Sequence, residues 1–243
     1  MARDYTGYPE GTAEHQLLLP ASLSVPLILK IVDSPHRPPE FAMGVHGTYT
    51  RVEGACAPSY MELWLAPLGA YTLLGLPMDA LADQTVNLVD VLGAEGRRLA
   101  AVVRDATTWR QRFSLVDQFL LRRLADGPRP AGEVAWAWHR LVATGGTEHI
   151  GEIAREVGWS HKHLIARFKQ QVGLPPKTAA RLVRLDMVWR QLAAPGPGNW
   201  ARIAADAGYA DQAHLIRDFR RFTGTTPGRF PVKPVQDPVP TAA

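Results

Sequence analysis

Cysteine is nearly missing from this chain: its 243 residues include one, Cys56. A lone thiol excludes an internal disulfide framework and fits a reducing compartment. Long apolar runs are missing as well, and none approaches the ~20 residues that a membrane-spanning helix needs. Met1 to Glu10 has neither the basic start nor the apolar stretch of a secretory signal. The expectation is a cytoplasmic protein with no membrane partner. Catalytic patterns are scarce too, with no Gly-rich phosphate loop, nucleophile elbow or paired-carboxylate signature. In the N-terminal half His15, His36 and His46 are scattered, without the H-x-H or H-E-x-x-H spacing of a metal site. These absences predict no enzyme activity, no cofactor and no bound metal.

What is present is unevenly spread. Hydrophobic residues make up 46% and charged residues 21%, which predicts a buried core, and the length allows two domains. The net charge is +4, yet 13 Lys and Arg against 7 Asp and Glu lie between Gly145 and Pro231. The basic excess therefore belongs to the C-terminal third. A phosphate-binding face requires such an excess, although many solvated surfaces also carry one.

An internal repeat is the stronger signal. Ile153-Ala154, Gly158 and Trp159 recur as Ile203-Ala204, Gly208 and Tyr209, displaced by 50 positions. Ser160, His163-Leu164 and Phe168-Lys169 recur as Asp211, His214-Leu215 and Phe219-Arg220, displaced by 51. Gly173 and Pro176 pair with Gly224 and Pro227 at the same 51. The extra residue, Ala210, falls in the turn, where an insertion costs least.

Each unit reads as helix, tight turn, helix. Thr147 and Asn199 are suited to N-cap the first helices, and Ser160 and Asp211 the second. Gly158 and Gly208 close the first helices. Leu164 and Phe168, like Leu215 and Phe219, are four apart and point inward together. Residues 161, 162, 165, 166 and 169 are left outward in one unit, and 212, 213, 216, 217 and 220 in the other. Between the units, Pro176 followed by Leu182, Val183, Leu185, Val188, Trp189 and Leu192 predicts one long amphipathic helix. Ala194 to Gly198 is a breaker.

This pattern closely resembles the AraC/XylS family of bacterial regulators. The residues that carry the resemblance are Ile153-Ala154, Gly158-Trp159, His163-Leu164, Phe168-Lys169, Ile203-Ala204, Gly208-Tyr209, Phe219-Arg220-Arg221 and Gly224 to Pro227. The resemblance implies a transcription regulator whose second helices enter two adjacent major grooves of double-stranded DNA, about 34 Å apart. The family's base-reading positions fall on Lys162, Ile165 and Ala166 in the first unit. Ile165 and Ala166 donate no hydrogen bonds and can only pack against a thymine methyl, so polar readout there rests on Lys162 and His161. In the second unit they fall on Gln212, Ala213 and Arg217; Gln212 suits adenine and Arg217 suits guanine. The alternative for Lys162, Lys169, Arg220 and Arg221 is contact with phosphates only, which sets register without reading sequence; it is favoured for Lys169 and Arg220, and Arg221 reads as well as a solvated charge. Two histidines at i, i+2, His161 and His163, point about 200° apart on a helix and cannot share an ion. His163 and His214 occupy matching inward-leaning positions, which favours packing.

The expected fold class is α+β. A small cupin-like or reduced β-barrel N-terminal domain with helices precedes an all-α domain of two helix-turn-helix units joined by a long helix. Leu17 to Leu19, Val25 to Val32, Phe41 to Arg51 and Met61 to Leu65 read as strands. Helices are expected near 69–74, 86–103, 107–125 and 133–143. The expected boundaries are a sensor or dimerisation domain over 1–126, a hinge over 127–132, a DNA-binding domain over 133–232 and a tail over 233–243. Within the DNA-binding domain the units span about 147–170 and 199–223. Tyr49, Tyr60 and Trp64 are the candidates for lining a small-molecule effector pocket, and each is also an ordinary core or surface residue type. The stripe Trp109, Phe113, Val116, Leu120 and Leu124 reads either as core or as a homodimer face, the latter common in the family. RNA polymerase is the implied protein partner. Two alternatives stay open: a DNA-modifying or repair protein using Cys56, and a constitutive architectural DNA binder.

Overall fold

The computed structural model describes residues 2–8, 17–32, 40–52, 59–192 and 199–230; side chains are described from Leu19 onward, Val52 apart. Cys56, His15, His36, the Ala194 to Gly198 breaker and the expected tail lie outside the described residues.

The N-terminal part is an antiparallel sheet with a ribbon laid over it. Strands β1 (Ala2–Tyr8), β3 (Val25–Val32), β4 (Glu40–Met43), β6 (Ser59–Leu65) and β7 (Thr85–Asn87) pair in the order β1-β6-β3-β4-β7. β2 (Leu17–Leu19) and β5 (Thr50–Val52) form a separate two-stranded ribbon. Period-2 alternation sends Leu27, Leu29, Met61, Leu63 and Leu65 to one face, each at most 2% exposed. Ile28, Phe41 and Met43 bury on the opposite face, against Leu19 of the ribbon and Tyr60. The result is an open five-stranded sheet rather than a closed barrel, with its two faces covered, one by helices and one by the ribbon.

Some elements depart from expectation. The single strand expected over 41–51 is β4 and β5, in different sheets. The chain leaves the sheet at Gly44, where a Cβ would lie 1.8 Å from the Leu81 carbonyl oxygen. The helix expected over 86–103 is likewise two, α2 (Leu88–Leu92) and α3 (Ala94–Asp105). Gly93 at φ 58° breaks it, and Asn87 caps α2 by accepting from the Val89 amide at 2.9 Å. α1 (Pro67–Leu74) and α4 (Trp109–Asp126) fall near their expected places, α4 opened by a Thr108/Gln111 capping box. The α4 stripe turns inward: Val116 and Leu120 are buried in the core that also takes up Trp109 and Phe113, while Leu121 and Leu124 remain outside.

The remaining helices are α5 (Gly132–Ala143), α6 (Ile150–Glu156), α7 (His161–Val172), α8 (Pro176–Leu192), α9 (Trp200–Asp206) and α10 (Gln212–Thr223). α5, α6, α7 and the start of α8 share one apolar cluster, centred on Trp138, Leu164 and Phe168. The rest of α8 with α9 and α10 joins the cluster that begins under the sheet. The stretch 127–132 is held at both ends. Gly127 abuts the Thr72 carbonyl so closely that a Cβ would sit 2.1 Å from its oxygen, and the Ala131 amide donates to Gln171 Oε1 at 3.0 Å.

Candidate nucleic-acid interface

The two repeat units fold alike because the same groups close the same turn. In the first, the Trp159 amide donates to the Ala154 carbonyl at 2.9 Å; in the second, the Tyr209 amide donates to that of Ala204 at 2.9 Å. This six-residue closure needs a left-handed residue inside it, supplied by Gly158 at φ 71° and Gly208 at φ 73°. Ser160 accepts from the His163 amide at 3.2 Å, and Asp211 from that of His214 at 2.6 Å. Asn199 caps α9 through the amides of Ala201 and Arg202. Thr147 does not cap α6: His149 holds that position without a side-chain bond, and the Thr147 hydroxyl donates to the Thr144 carbonyl instead. Two glycines, Gly145 and Gly146, turn the chain just before Thr147 and set it back from the helix start.

Leu164, Phe168, Leu215 and Phe219 are fully buried at 0% exposure, which fixes the roll of α7 and α10. The opposite faces are then determined. His161, Lys162, Ala166 and Lys169 are exposed and Ile165 half-buried on α7; Gln212, Ala213, Arg217, Arg220 and Arg221 are exposed on α10. Lys162, Lys169, Arg217 and Arg220 form no ion pair among the described residues. His163 is exposed rather than inward, yet its ring meets Trp159 edge-on at 4.5 Å, and His214 meets Tyr209 in the same way at 5.2 Å. Tyr209 is buried and Trp159 half-buried. Burial pushes the Tyr209 hydroxyl well above its usual titration range, and the charge of Asp218 adds to this.

α8 sets the two faces relative to one another. Its Arg181 reaches Asp218 of α10 through two parallel bonds, Nε to Oδ2 at 3.0 Å and Nη2 to Oδ1. These bonds raise the Arg181 pKa above its ordinary value. The sequence reading missed this pair. Asp218 sits among Leu215, Phe219 and Phe222 on the inward face of α10, and an acidic residue in an apolar stripe was the available signal. The N-terminal part also grips both outward-facing helices at their C-terminal ends. The Ala21 amide donates to the Phe222 carbonyl at 2.7 Å and the Thr48 hydroxyl to that of Arg221 at 3.1 Å. Both acceptors belong to the last turn of α10, which lacks partners inside its own helix. At the end of α7, Gly173 (φ 97°) packs on Val45 and the Met78 carbonyl.

A cavity of about 360 Å³ lies in the seam between the sheet, α5 and α8. Trp64, Trp138, Trp189, Leu185, His46 and Arg190 are in its wall. Of the three expected pocket residues Trp64 alone lines it; Tyr60 packs beneath the ribbon and Tyr49 is half-buried elsewhere.

Two helix-glycine-helix units on one helical connector, with cations on matching faces that form no ion pair among the described residues, define a tandem helix-turn-helix DNA-binding protein. Residues 153–231 match the family described as "Helix-turn-helix domain", and this region is a DNA-binding domain of the AraC type. No curated protein matches the chain. Among solved structures it is similar to a point variant of apo ToxT from Vibrio cholerae, at 12% identity and a TM-score of 0.48, over 92% of this chain and 94% of that one. It is similar also to ToxT from Vibrio cholerae O395, at 11% identity and TM-score 0.45, over 92% and 95% of the two chains. A third is ToxT from Vibrio cholerae with an unsaturated fatty acid bound, at 9% identity and TM-score 0.45, over 92% of each. Among the described residues no helix is long and apolar enough to cross a membrane, and no group of three or more His, Cys, Asp or Glu could hold a metal ion.

Proposed function

We propose that the chain is a cytoplasmic transcription regulator that reads an operator through α7 and α10 in two adjacent major grooves. The observation that carries this reading is the duplicated turn, which leaves residues 161, 162, 165, 166 and 169 of α7 and 212, 213, 217, 220 and 221 of α10 on outward faces. Gln212 and Arg217 supply most of the hydrogen-bonded base readout, since Ile165 and Ala166 have no side-chain donor or acceptor. Lys169 and Arg220, beside buried phenylalanines, hold phosphates. The 1–126 part acts as sensor, the 127–132 stretch joins it to the DNA-binding part, and RNA polymerase is recruited or occluded. The outward surface of α4 with Leu121 and Leu124 is what that helix leaves for a second protomer.

The seam cavity is the proposed effector site, suited to an apolar or aromatic molecule by its three indoles. An occupant there touches both the sheet and the connector α8. It shifts operator binding only by the ratio of its affinities for the two arrangements. A compound that raises the unfolding temperature yet leaves operator affinity unchanged argues against that role.

Footprinting on duplexes selected from a random pool tests the main reading. Two protected patches on one DNA face, about one helical turn apart, are expected. A single short patch contradicts it.

A further inference from the structure

A second cavity, of about 510 Å³, lies between the first unit and the connector α8; its wall includes His149, His161 and Ile165 together with Lys177 and Arg184 of α8. His161 and Ile165 belong to the outward face of α7, so the cavity opens beside the surface proposed for DNA. Arg184 reaches the other unit: its Nη1 donates to the Gly208 carbonyl at 3.4 Å and its guanidinium lies 5.4 Å from the Tyr209 ring centre. Its Nε is buried and has no hydrogen-bond partner, a donor held in place without an acceptor. Lys177 is exposed and forms no ion pair among the described residues. The carboxylate in the wall, Glu148, is paired with Arg140 at 2.6 Å.

We propose that this saddle is a seat for a DNA phosphodiester, held by Lys177 and Arg184 with His149 and His161 at its rim. The inference rests on the two-groove reading above. When two recognition helices occupy consecutive major grooves on one face, a minor groove lies between them, and a sugar-phosphate backbone bordering it must pass the connector. A concave site with two basic side chains and a carboxylate already paired with an arginine fits an anion there. The seat carries no base information; it fixes the spacing at which the two helices engage.

The test measures affinity against salt for a duplex selected by this protein from a random pool and for its scrambled counterpart. Lys177→Gln is expected to flatten the slope of log K on log salt by about 0.9 on both duplexes, leaving their affinity ratio unchanged. Between 50 and 200 mM salt the wild-type advantage then shrinks about 3.5-fold, as that slope change requires. Lys177→Arg should keep the wild-type slope. An unchanged slope in Lys177→Gln, or a loss confined to the selected duplex, overturns the seat while the two-groove reading stands. A wild-type protein that enriches no duplex from the random pool overturns both.

Discussion

Replacing Asp218 by Ala tests how firmly the second unit is locked to the connector. Its carboxylate is 3% exposed and accepts both arms of Arg181, whose side chain is 20% exposed. Removing it forfeits charge-assisted bonds with a net value of ~1.5–3 kcal/mol. It also strands a guanidinium, which in a fully buried pair raises the total to ~3–5 kcal/mol. Arg181 keeps some access to water and lies 5.2 Å from the Phe222 ring, so about 2–3 kcal/mol is expected. For a chain of this size that corresponds to roughly 4–12 °C in Tm. Urea unfolding followed by circular dichroism should show a lower midpoint at unchanged slope. The double variant Arg181→Met/Asp218→Leu should regain most of the loss, because it leaves no uncompensated charge. A loss under about 0.5 kcal/mol for Asp218→Ala, or a double variant no better than the single, refutes the lock.

Other substitutions probe the turn chemistry. Gly173→Ala puts a Cβ 2.4 Å from Val45 Cγ2 at a φ of 97°, so a loss of at least ~2 kcal/mol is expected in the same unfolding assay. A wild-type midpoint would mean that α7 is not seated on the N-terminal part as described. Ser160→Ala removes the cap of α7 and should cost about 1 kcal/mol, with Ser160→Asp restoring it; equal stability of all three proteins would contradict the capping role.

The C-terminal half was legible because its determinants are local and doubled. Apolar spacing, a cap and a turn glycine lie within about twenty residues of each other, and each appears twice. The exception there, Thr147, failed because a good capping residue type says nothing about where the preceding glycines place it. The N-terminal half hid its breaks for a related reason. Gly44 and Gly93 interrupt segments whose apolar residues continue on either side, and what forces the break at Gly44 is the distant Leu81 carbonyl. Arg181 with Asp218, and Ala21 with Phe222, link parts of the chain too far apart for periodicity to register. The seam cavity is hidden for that reason as well: Trp64 on its sheet side is a strand residue, whereas its other wall is the connector helix, distant in the chain.

The central claim is that sequence is read, and chiefly through α10. Titrating the wild type and Arg217→Ala against a selected duplex and its scrambled counterpart tests this most directly. The account predicts a clear preference for the selected duplex in the wild type. Arg217→Ala should lose that preference, through ~1–3 kcal/mol of lost base discrimination, while retaining the weaker binding common to both duplexes. Equal weakening on both would reduce Arg217 to a phosphate contact and contradict the claim.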